Sequence, residues 1–332
     1  MKIIVPMAGM GKRMRPHSLT VPKPLIPVAG KPIVQHLLEN IFSVCEEPID
    51  EVAFVIGRFG EAVEKQLLAI AKELGSVGSI HYQDEALGTA HAILCAKDRL
   101  TDKTIVAFAD TIFKADFNLD AEKDGIIWVH KVEDPRPFGV VKTNEEGVIT
   151  EFVEKPQEFV SDMAIIGIYY FKDGPYLRRE LEYLIDNDLK DKGEFQLTNA
   201  LENMKSKGTL FFPGKVDEWL DCGNKNATVF TNQRVLEIMP GVANDGEYAK
   251  DDSVVICPPC YIGKDVVLKN AVIGPHVSIG NNSHVENVVV SNTIVQNNSV
   301  IKNRVIRNSM IGNFVQYEGE PVEVSIGDYC EL

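Results

Sequence analysis

Residues 1–25 read MKIIVPMAGMGKRMRPHSLTVPKPL, a short apolar run followed by glycines and then by basic side chains. The apolar run at 3–6 is typical of a buried strand that ends at the glycines. Glycines let backbone N–H groups approach phosphate oxygens closely, and the lysines and arginines that follow supply positive charge. The stretch 8–23 therefore predicts a loop that binds the phosphates of a nucleoside triphosphate.

Two common phosphate-binding patterns do not fit this loop. A Walker loop requires Ser or Thr directly after Gly-Lys, but Arg13 follows Lys12. A Rossmann fingerprint requires a third glycine at the position that Met14 occupies. The loop therefore belongs to another class of nucleotide site.

Strand-like and helix-like patterns alternate through the first two thirds of the chain. Apolar residues recur with helical spacing over 33–44 and 63–71, and β-rich runs lie at 52–56 and 104–109. Further strand-like runs lie at 125–132, 139–142, 148–153 and 164–171. This alternation predicts an α/β fold with a Rossmann-like, mainly parallel sheet. Ligands of such sheets bind at the carboxyl ends of strands, so the loop and Asp110 are expected at one rim.

The pattern changes near residue 250, where helical spacing ends. Aliphatic side chains then recur every five or six positions, at Ile256, Ile262, Leu268, Ile273, Ile279, Val285, Val290, Val295, Ile301, Ile306 and Ile311. The spacing resembles the hexapeptide repeat of a left-handed parallel β-helix, with Asn-rich corners at 281–282 and 297–298. We therefore expect two domains, 1–245 and 250–332. The flat sides of the second favour a homo-oligomer.

The composition of the chain limits the kinds of partner and the cellular location that we expect for the protein. The chain has 48 acidic and 34 basic side chains, a formal net charge of −14, which argues against a general nucleic-acid binder. The N-terminus lacks a signal-peptide pattern and no apolar stretch could span a bilayer, so no membrane partner is expected. Six scattered cysteines indicate a reducing, cytoplasmic location. Cys257 and Cys260 have C-x-x-C spacing without a second ligand pair, which favours simple packing.

The glycine loop resembles the signature of sugar nucleotidyltransferases, G-x-G-x-R-x-x-P-x-(T/S)-x-x-x-P-K. The resemblance implies that the backbone of Ala8, Gly9 and Gly11 contacts the nucleotide. It also implies that Arg13 holds the leaving pyrophosphate and that Lys23 holds the transferred phosphate. Lys12 departs from the Thr or Ser that the family commonly has before the arginine.

Further blocks follow in the family's order. The block Q-D-E-A-L-G-T-A at 83–90 resembles the part that reads a pyrimidine edge, which implies nucleotide contacts for Gln83, Gly88 and Thr89. Asp110 ends an apolar run, and Asp221 precedes a glycine by two positions, as in the family's x-D-x-G metal motif. The resemblance implies that these two carboxylates bind Mg²⁺. Cys222 stands between Asp221 and the glycine, where we expect it to pack rather than react.

The sugar-phosphate side is implied by three more matches. Phe-Gly-Val at 138–140 implies that Gly139 presents its backbone to the sugar. Glu-Lys-Pro at 154–156 implies that Glu154 binds sugar hydroxyls and that Lys155 binds the sugar's phosphate. Gly167 matches another glycine of close approach, and the stretch 194–198 resembles the helix start beside the sugar pocket.

The resemblance implies an enzyme that transfers a nucleotidyl group to a sugar-1-phosphate, with Arg13, Lys23, Asp110, Lys155 and Asp221 in catalysis. The block at 83–90 favours dTTP or UTP, and glucose-1-phosphate is the family's commonest acceptor. Three alternatives stay open. The β-helix could be a second, acyltransferase enzyme with His276 or His284 as base. The stretch 22–32 is also similar to mannose-1-phosphate guanylyltransferases, and some relatives are non-catalytic regulatory subunits.

Overall fold

The chain divides into two compact units, which we describe separately. The computed structural model describes residues 1–238, 249–320, 322–326 and 328–329. The N-terminal unit comprises Met1–Ile26 and Ile33–Asp221, and the C-terminal unit comprises Pro27–Pro32 and Cys222–Leu332. The domain boundary predicted at 245–250 falls largely on residues 239–248, which lie outside the described residues, so it stays a prediction.

Strands and helices alternate along residues 1–238, of which 27–32 and 222–238 belong to the C-terminal unit. The strands up to residue 221 are β1 (Lys2–Pro6), β2 (Pro27–Val28), β3 (Lys31–Pro32), β4 (Glu51–Ile56), β5 (Val77–Tyr82), β6 (Thr104–Ala107), β7 (Thr111–Lys114), β8 (Gly125–Lys131), β9 (Gly139–Thr143), β10 (Ile149–Glu154), β11 (Met163–Phe171), β12 (Phe211–Lys215) and β13 (Glu218–Asp221). The helices are α1 (Ile33–Val44), α2 (Glu61–Glu73), α3 (Thr89–Leu94), α4 (Gly174–Asp186), α5 (Leu197–Ser206) and α6 (Lys225–Ile238). Within the described residues, no helix has both the length and the apolar character that a bilayer span requires.

The central sheet has a hydrophobic core on each face. Successive side chains of a strand point to opposite faces. In β1, Ile3 and Val5 accordingly join the core that contains α1 and α2, whereas Ile4 joins the core that contains α4 and α5. The helices predicted from apolar spacing are confirmed, and Gly75, with φ of +80°, follows the end of α2. The alternation of patterns therefore identifies an α/β unit of three layers, with helices on both faces of the sheet.

The sheet is parallel in one half and mixed in the other. Strands β6, β1, β4 and β5 are parallel neighbours, as predicted. Strand β11 runs antiparallel to β6, β8 and β9, and β9 is antiparallel to β10. No helix lies between β8 and β11, and connections this short cannot make the crossover that parallel strands require. Strand β12, which follows two helices, is again parallel to β8, so the sheet as a whole is mixed rather than mainly parallel.

The C-terminal unit contains a curled parallel sheet. Its strands are β14 (Ala249–Lys250), β15 (Val255–Ile256), β16 (Cys260–Ile262), β17 (Val267–Ile273), β18 (Val277–Ile279), β19 (His284–Val295), β20 (Val300–Ile311) and β21 (Gln316–Glu318). Leu268 pairs with Val285 and Val285 pairs with Ile301, so each coil advances by 17 and then 16 residues. All the predicted aliphatic positions except the half-buried Ile256 are buried. This arrangement is consistent with a β-helix.

Asparagines occupy the corners of the coils. Asn282 and Asn298 adopt left-handed φ values of 57° and 58°, as the Asn-rich turns predict. Asn270, Asn287 and Asn303 stack on one another through side-chain hydrogen bonds of 2.8 and 2.9 Å. Asparagine tolerates this backbone and also hydrogen-bonds its neighbour, so one residue type meets both needs of a corner.

Helix α6 packs against the coils through the buried Asn232. Its Oδ1 accepts hydrogen bonds from the Ala29 N–H at 2.9 Å and from the Ser278 hydroxyl at 2.6 Å. Its Nδ2 donates to the carbonyl of His276 at 3.4 Å. One side chain thus joins α6, the β2–β3 hairpin and the coil, and all three belong to the C-terminal unit.

The cysteines that the structure describes are free thiols. Cys222 is fully buried, as expected of a packing residue. Cys260 donates to the Cys257 carbonyl at 3.1 Å, and burial raises the pKa of its thiol. Packing is therefore the observed role of the C-x-x-C pair.

Candidate active site

A cavity of about 300 Å³ opens where β1, β5 and β6 end. Its lining includes most of the nucleotide residues predicted from the sequence, namely Ala8, Gly9, Gly11, Lys23, Gln83, Gly88, Thr89 and Asp110. Met7, Pro24, Phe108 and Glu194 also line it, although the sequence assigned no role to them. The glycine loop and Asp110 therefore lie at the same rim of the sheet, as parallel strand order requires.

The two glycines of the loop differ in what they allow. Gly11 has φ of +55°, and a Cβ there would lie 3.1 Å from the Cβ of Lys23, so the turn requires glycine. The Ser18 hydroxyl donates to the Gly11 carbonyl at 2.7 Å and holds the loop closed. A Cβ on Gly9 would meet no protein atom within 4 Å. Gly9 is thus the open side of the loop, where a phosphate can approach the backbone.

A salt bridge crosses the cavity. Lys23 lies in a short 3₁₀ turn, and its Nζ is 2.9 Å from Oδ2 of Asp110. The Lys23 side chain is largely buried, whereas Asp110 is 44% exposed. The ammonium group of Lys23 is therefore held at the cavity wall, whereas the carboxylate of Asp110 is accessible to other ligands.

The antiparallel pairing of β7 and β13 brings the second predicted metal ligand close in the fold. Asp221 pairs with Thr111, the residue that follows Asp110. The Trp219 Nε1–H also donates to the Thr111 hydroxyl at 3.3 Å and fixes this pairing. No group of three or more His, Cys, Asp or Glu side chains suited to a metal occurs within the described residues. The donor set on offer is a pair of carboxylates, which suits Mg²⁺ completed by substrate phosphates.

Gln83 presents one kind of hydrogen-bonding atom to the cavity. Its Nε2 donates to the Gly88 carbonyl at 3.3 Å and lies 3.2 Å from Nδ1 of His91. A carbonyl can only accept, so the contact with Gly88 assigns the amide orientation. In the His91 tautomer with an unprotonated Nδ1, both N–H groups are used and Oε1 is left as an acceptor. The side chain is therefore suited to read a ring N–H group.

A second loop supports this wall, although the sequence pattern links it to the sugar pocket and not to the nucleotide loop. A Cβ on Gly88 would lie 2.4 Å from the carbonyl oxygen of Phe195, so the two backbones are in close contact. The Thr89 hydroxyl donates to Gln196 at 3.2 Å and accepts from the Leu197 N–H at 2.9 Å. The stretch 194–198 thus braces the nucleotide loop, and its Glu194 reaches the cavity. Neither Gln196 nor Thr89 belongs to a local sequence pattern that predicts this contact.

Three of the predicted sugar-phosphate residues form a cluster in the same unit, whereas Gly167 contacts the cavity residue Phe108. Gly139 pairs with Glu154, and a Cβ on Gly139 would lie 2.9 Å from Oε2 of that carboxylate. Lys155 Nζ lies 3.4 Å from Oε1 of Glu154, and Lys155 has a left-handed φ of 47°. Gly167 accepts a hydrogen bond from the Phe108 N–H at 2.9 Å. Neither this cluster nor the exposed Arg13 is among the residues that line the cavity.

Comparison with known proteins places these observations in a family. A model described as nucleotidyl transferase matches residues 2–237. The low-salt glycan biosynthesis nucleotidyltransferase Agl11 of Haloferax volcanii is 30% identical over 319 residues, which cover 87% of each chain. The bifunctional protein GlmU of Methanococcus maripaludis is 30% identical over 240 residues. That match covers 71% of this chain and 54% of GlmU, so the chain matches about half of that relative.

A solved structure has a similar fold. It is a putative glucose-1-phosphate thymidylyltransferase from Bacillus anthracis, with a TM-score of 0.61 and 24% identity. The match covers 72% of this chain and 96% of that one. The family model spans most of the chain, and Agl11 matches it along nearly its whole length. The chain therefore belongs to the nucleotidyl transferase family, as its resemblance to sugar nucleotidyltransferases predicts.

Proposed function

We propose that the protein transfers a nucleotidyl group from a nucleoside triphosphate to a sugar-1-phosphate and releases pyrophosphate. The observation that carries this proposal is the composition of one cavity. One cavity of about 300 Å³ is lined by the glycine loop, which is open to phosphate, and by the side chains of Lys23, Asp110 and Gln83. These side chains supply a cation, a carboxylate and a hydrogen-bond acceptor. These are the groups that a nucleotide requires for its phosphates, its metal and its base.

The proposed chemistry is an in-line displacement. A phosphate oxygen of the sugar-1-phosphate attacks the α-phosphorus, and the bond from that phosphorus to the pyrophosphate oxygen breaks. The attacking oxygen is already anionic, so the protein contributes position and charge rather than a nucleophile. In this scheme Arg13 offsets charge on the leaving pyrophosphate. Lys23 and Lys155 hold together two phosphates that would otherwise repel each other.

Asp110 and Asp221 would hold the divalent cation, which we propose is Mg²⁺. When bound, such an ion stabilises the negative charge that develops on the phosphoryl oxygens. Lys23 forms a salt bridge with Asp110. We expect Lys23 to contact the α-phosphate instead when nucleotide enters the cavity.

For the base we favour uracil or thymine, hence UTP or dTTP. Each presents an N3–H that Oε1 of Gln83 can accept, whereas cytosine has an unprotonated ring nitrogen at that position. Guanine also has a ring N–H, so GTP is the alternative base. We propose that the backbones of Ala8, Gly9 and Gly88, with Thr89, complete the nucleotide contacts.

For the acceptor we favour glucose-1-phosphate. Glu154 and the backbones of Gly139 and Gly167 would contact the sugar, next to Lys155. The Haloferax relative is named for glycan biosynthesis, which supports a nucleotide sugar as the product.

We propose that the C-terminal coils form a left-handed β-helix that serves in self-association. An acyltransferase role has less support. The connections between consecutive strands from β15 to β21 contain at most four residues and form no long loop that could bind an acyl donor. His276 Nε2 lies 2.8 Å from Glu237 and His284 Nε2 lies 3.2 Å from Glu286, a pairing that would itself be compatible with a general base. A regulatory subunit is also disfavoured, because Lys23, Asp110 and Asp221 are all retained.

One experiment tests the reaction and its substrates together. The purified chain is incubated with Mg²⁺, each of five nucleoside triphosphates and a set of sugar-1-phosphates, and pyrophosphate release is measured. We expect the fastest release with UTP or dTTP and glucose-1-phosphate. Consumption of acyl-CoA in a parallel assay would support the bifunctional alternative, and no release from any pair would contradict the proposed reaction.

A further inference from the structure

Helices α3 and α5 cap each other beside the candidate active site. The Ala90 N–H in the first turn of α3 donates to the Phe195 carbonyl at 2.9 Å. The Leu197 N–H, the first of α5, donates to the Thr89 hydroxyl at 2.9 Å. The first N–H groups of a helix have no acceptor within it, so each helix start obtains one from the segment that begins the other. The segment 194–196 is therefore fixed against the loop that ends at Thr89.

Side-chain hydrogen bonds extend this contact to a carboxylate, and we call the series Thr89–Gln196–Glu194 the Glu194 relay. The Thr89 hydroxyl donates to Oε1 of Gln196 at 3.2 Å, and Nε2 of Gln196 donates to Oε2 of Glu194 at 3.0 Å. An ionised carboxylate can only accept, so the contact with Glu194 assigns the orientation of the Gln196 amide. The relay therefore holds Oε2 of Glu194 and leaves Oε1 out of these hydrogen bonds.

Glu194 is one of the residues that form the wall of the cavity. Among the described residues that line the cavity, Asp110 and Glu194 are the two with a carboxylate. Asp110 forms a salt bridge with Lys23 and is a proposed ligand of the metal ion. A second carboxylate would repel phosphate groups, whereas it accepts strong hydrogen bonds from hydroxyl groups. Glu194 is therefore suited to a hydroxyl group of the ligand.

The residues that share the cavity with Glu194 favour the ribose of the nucleotide as the source of that hydroxyl group. Gln83 and Gly88, which we propose contact the base, line the same cavity. The Glu154–Lys155 pair, which the family resemblance assigns to the acceptor sugar, is not among the residues that line it. A base and its ribose are covalently joined, so a nucleotide that places its base at Gln83 brings its ribose hydroxyls into this cavity.

We propose that Glu194 accepts a hydrogen bond from the 2′-hydroxyl of the ribose and that the Glu194 relay positions the carboxylate for this contact. UTP has the 2′-hydroxyl and dTTP lacks it, so the proposal selects UTP from the two triphosphates that the base contacts favour. Thr89 thereby contributes to nucleotide binding through Gln196, which is a positioning residue. The inference rests on the proposed function, because it requires a nucleotide in the cavity.

The first test compares nucleotides that differ in the 2′-hydroxyl alone. Dissociation constants of UTP and dUTP, and of GTP and dGTP for the alternative base, are measured by calorimetry on the full-length chain with Mg²⁺ and without acceptor. We expect the wild-type chain to bind the ribonucleotide about tenfold more tightly than its deoxy partner. Glu194→Ala should weaken the ribonucleotide to the value of the deoxynucleotide and leave the deoxynucleotide unchanged. Glu73→Ala, which changes an exposed glutamate at the end of α2, is the matched control and should keep the wild-type ratio.

The second test addresses the relay. Gln196→Leu removes the hydrogen bonds to Thr89 and Glu194 and should lower the ratio of the two dissociation constants to about that of Glu194→Ala. The same substitution in the Glu194→Ala chain should have no further effect on the ratio. Thr89→Val removes the hydroxyl and should also lower the ratio, whereas Thr89→Ser retains a hydroxyl and should preserve it. A purely structural brace would instead weaken both nucleotides equally, because loss of loop order does not depend on the 2′-hydroxyl.

The outcomes separate this inference from the proposed reaction. Equal affinity of the wild-type chain for both members of a pair, or an unchanged ratio in Glu194→Ala, would overturn the contact with the ribose. A higher KM for the sugar-1-phosphate in Glu194→Ala, with that ratio unchanged, would assign Glu194 to the acceptor instead. An unchanged ratio in Gln196→Leu would overturn the relay. A wild-type chain that prefers the ribonucleotide but releases no pyrophosphate would contradict the proposed reaction and support the contact with Glu194, and no binding of any of the four nucleotides would contradict both.

Discussion

Lys23 and Asp110 are 87 residues apart in the sequence, and their charged groups are 2.9 Å apart in the cavity. Each of the two side chains therefore neutralises the other. A phosphate group would replace Asp110 as the partner of Lys23, and a metal ion would replace Lys23 as the partner of Asp110. Binding would therefore exchange one ionic contact for two. The first prediction concerns this pair.

Asp110→Asn should lower turnover by about 10³-fold or more, because the carboxylate that faces the phosphates is lost. The amide oxygen can still accept from Lys23, so the melting temperature should stay close to the wild-type value. Pyrophosphate release and circular dichroism measure the two effects. Asp134→Asn is the control, since it removes a carboxylate from an exposed pair with Arg136 and should leave turnover unchanged. Normal turnover in Asp110→Asn would remove Asp110 from the proposed metal site.

Gly9→Ala should separate activity from stability. The added methyl group meets no protein atom within 4 Å, so the fold should tolerate it. It would occupy the open side of the loop, where we expect phosphate to approach, and turnover should fall by about 100-fold. Gly75→Ala should give the opposite result. Its φ of +80° makes alanine unfavourable by about 1 kcal/mol, and it lies at the end of α2, away from the cavity. Full activity in Gly9→Ala would contradict a close phosphate contact at this loop.

His91→Ala should reduce the preference for UTP over CTP. In the tautomer with an unprotonated Nδ1, the histidine accepts one of the two N–H groups of Gln83, so its loss frees that group to meet the ring nitrogen of cytosine. We expect the ratio of kcat/KM for the two nucleotides to fall by about tenfold or more. His91→Gln restores an acceptor oxygen and should recover part of the ratio. An unchanged ratio in His91→Ala would show that the Gly88 carbonyl alone fixes the amide of Gln83.

Asn232→Ala should destabilise the C-terminal unit by about 3 kcal/mol. The substitution leaves the Ala29 N–H and the Ser278 hydroxyl buried without their acceptor. Thermal unfolding followed by circular dichroism measures the effect. Asn226→Ala, on an exposed position of the same helix, is the control and should change stability by less than about 0.5 kcal/mol. An equal effect of the two substitutions would contradict the role assigned to Asn232.

Local patterns predicted the elements whose burial is periodic. The spacing of Ile33, Leu37 and Ile41 marks α1, and all three are buried. The aliphatic repeat after residue 250 marks the coils for the same reason, because each inward position recurs once per strand. The sequence also located the glycine loop, since Gly11 adopts a left-handed backbone conformation that other residues rarely adopt.

Strand direction and long-range contacts were not predictable in this way. Alternating apolar residues give a strand the same appearance in a parallel or an antiparallel sheet, so β11 was not distinguished from β6. Thr89 and Gln196 are 107 residues apart, and neither residue type signals the contact between them. The family resemblance pointed to the glycine motifs, whereas the close approach of Gly88 to Phe195 became visible in the fold.

The β2–β3 hairpin has a consequence for how the protein can be divided. It belongs to the C-terminal unit, although it lies in the sequence between Ile26 and Ile33 of the N-terminal unit. The chain therefore leaves the N-terminal unit, returns to it and leaves it again, so cutting a single peptide bond cannot separate the two units. A fragment that stops at Asp221 would still include the hairpin but would lack the Asn232 side chain that receives its Ala29 N–H. Separating the two units would therefore require residues 27–32 to be supplied together with the C-terminal unit.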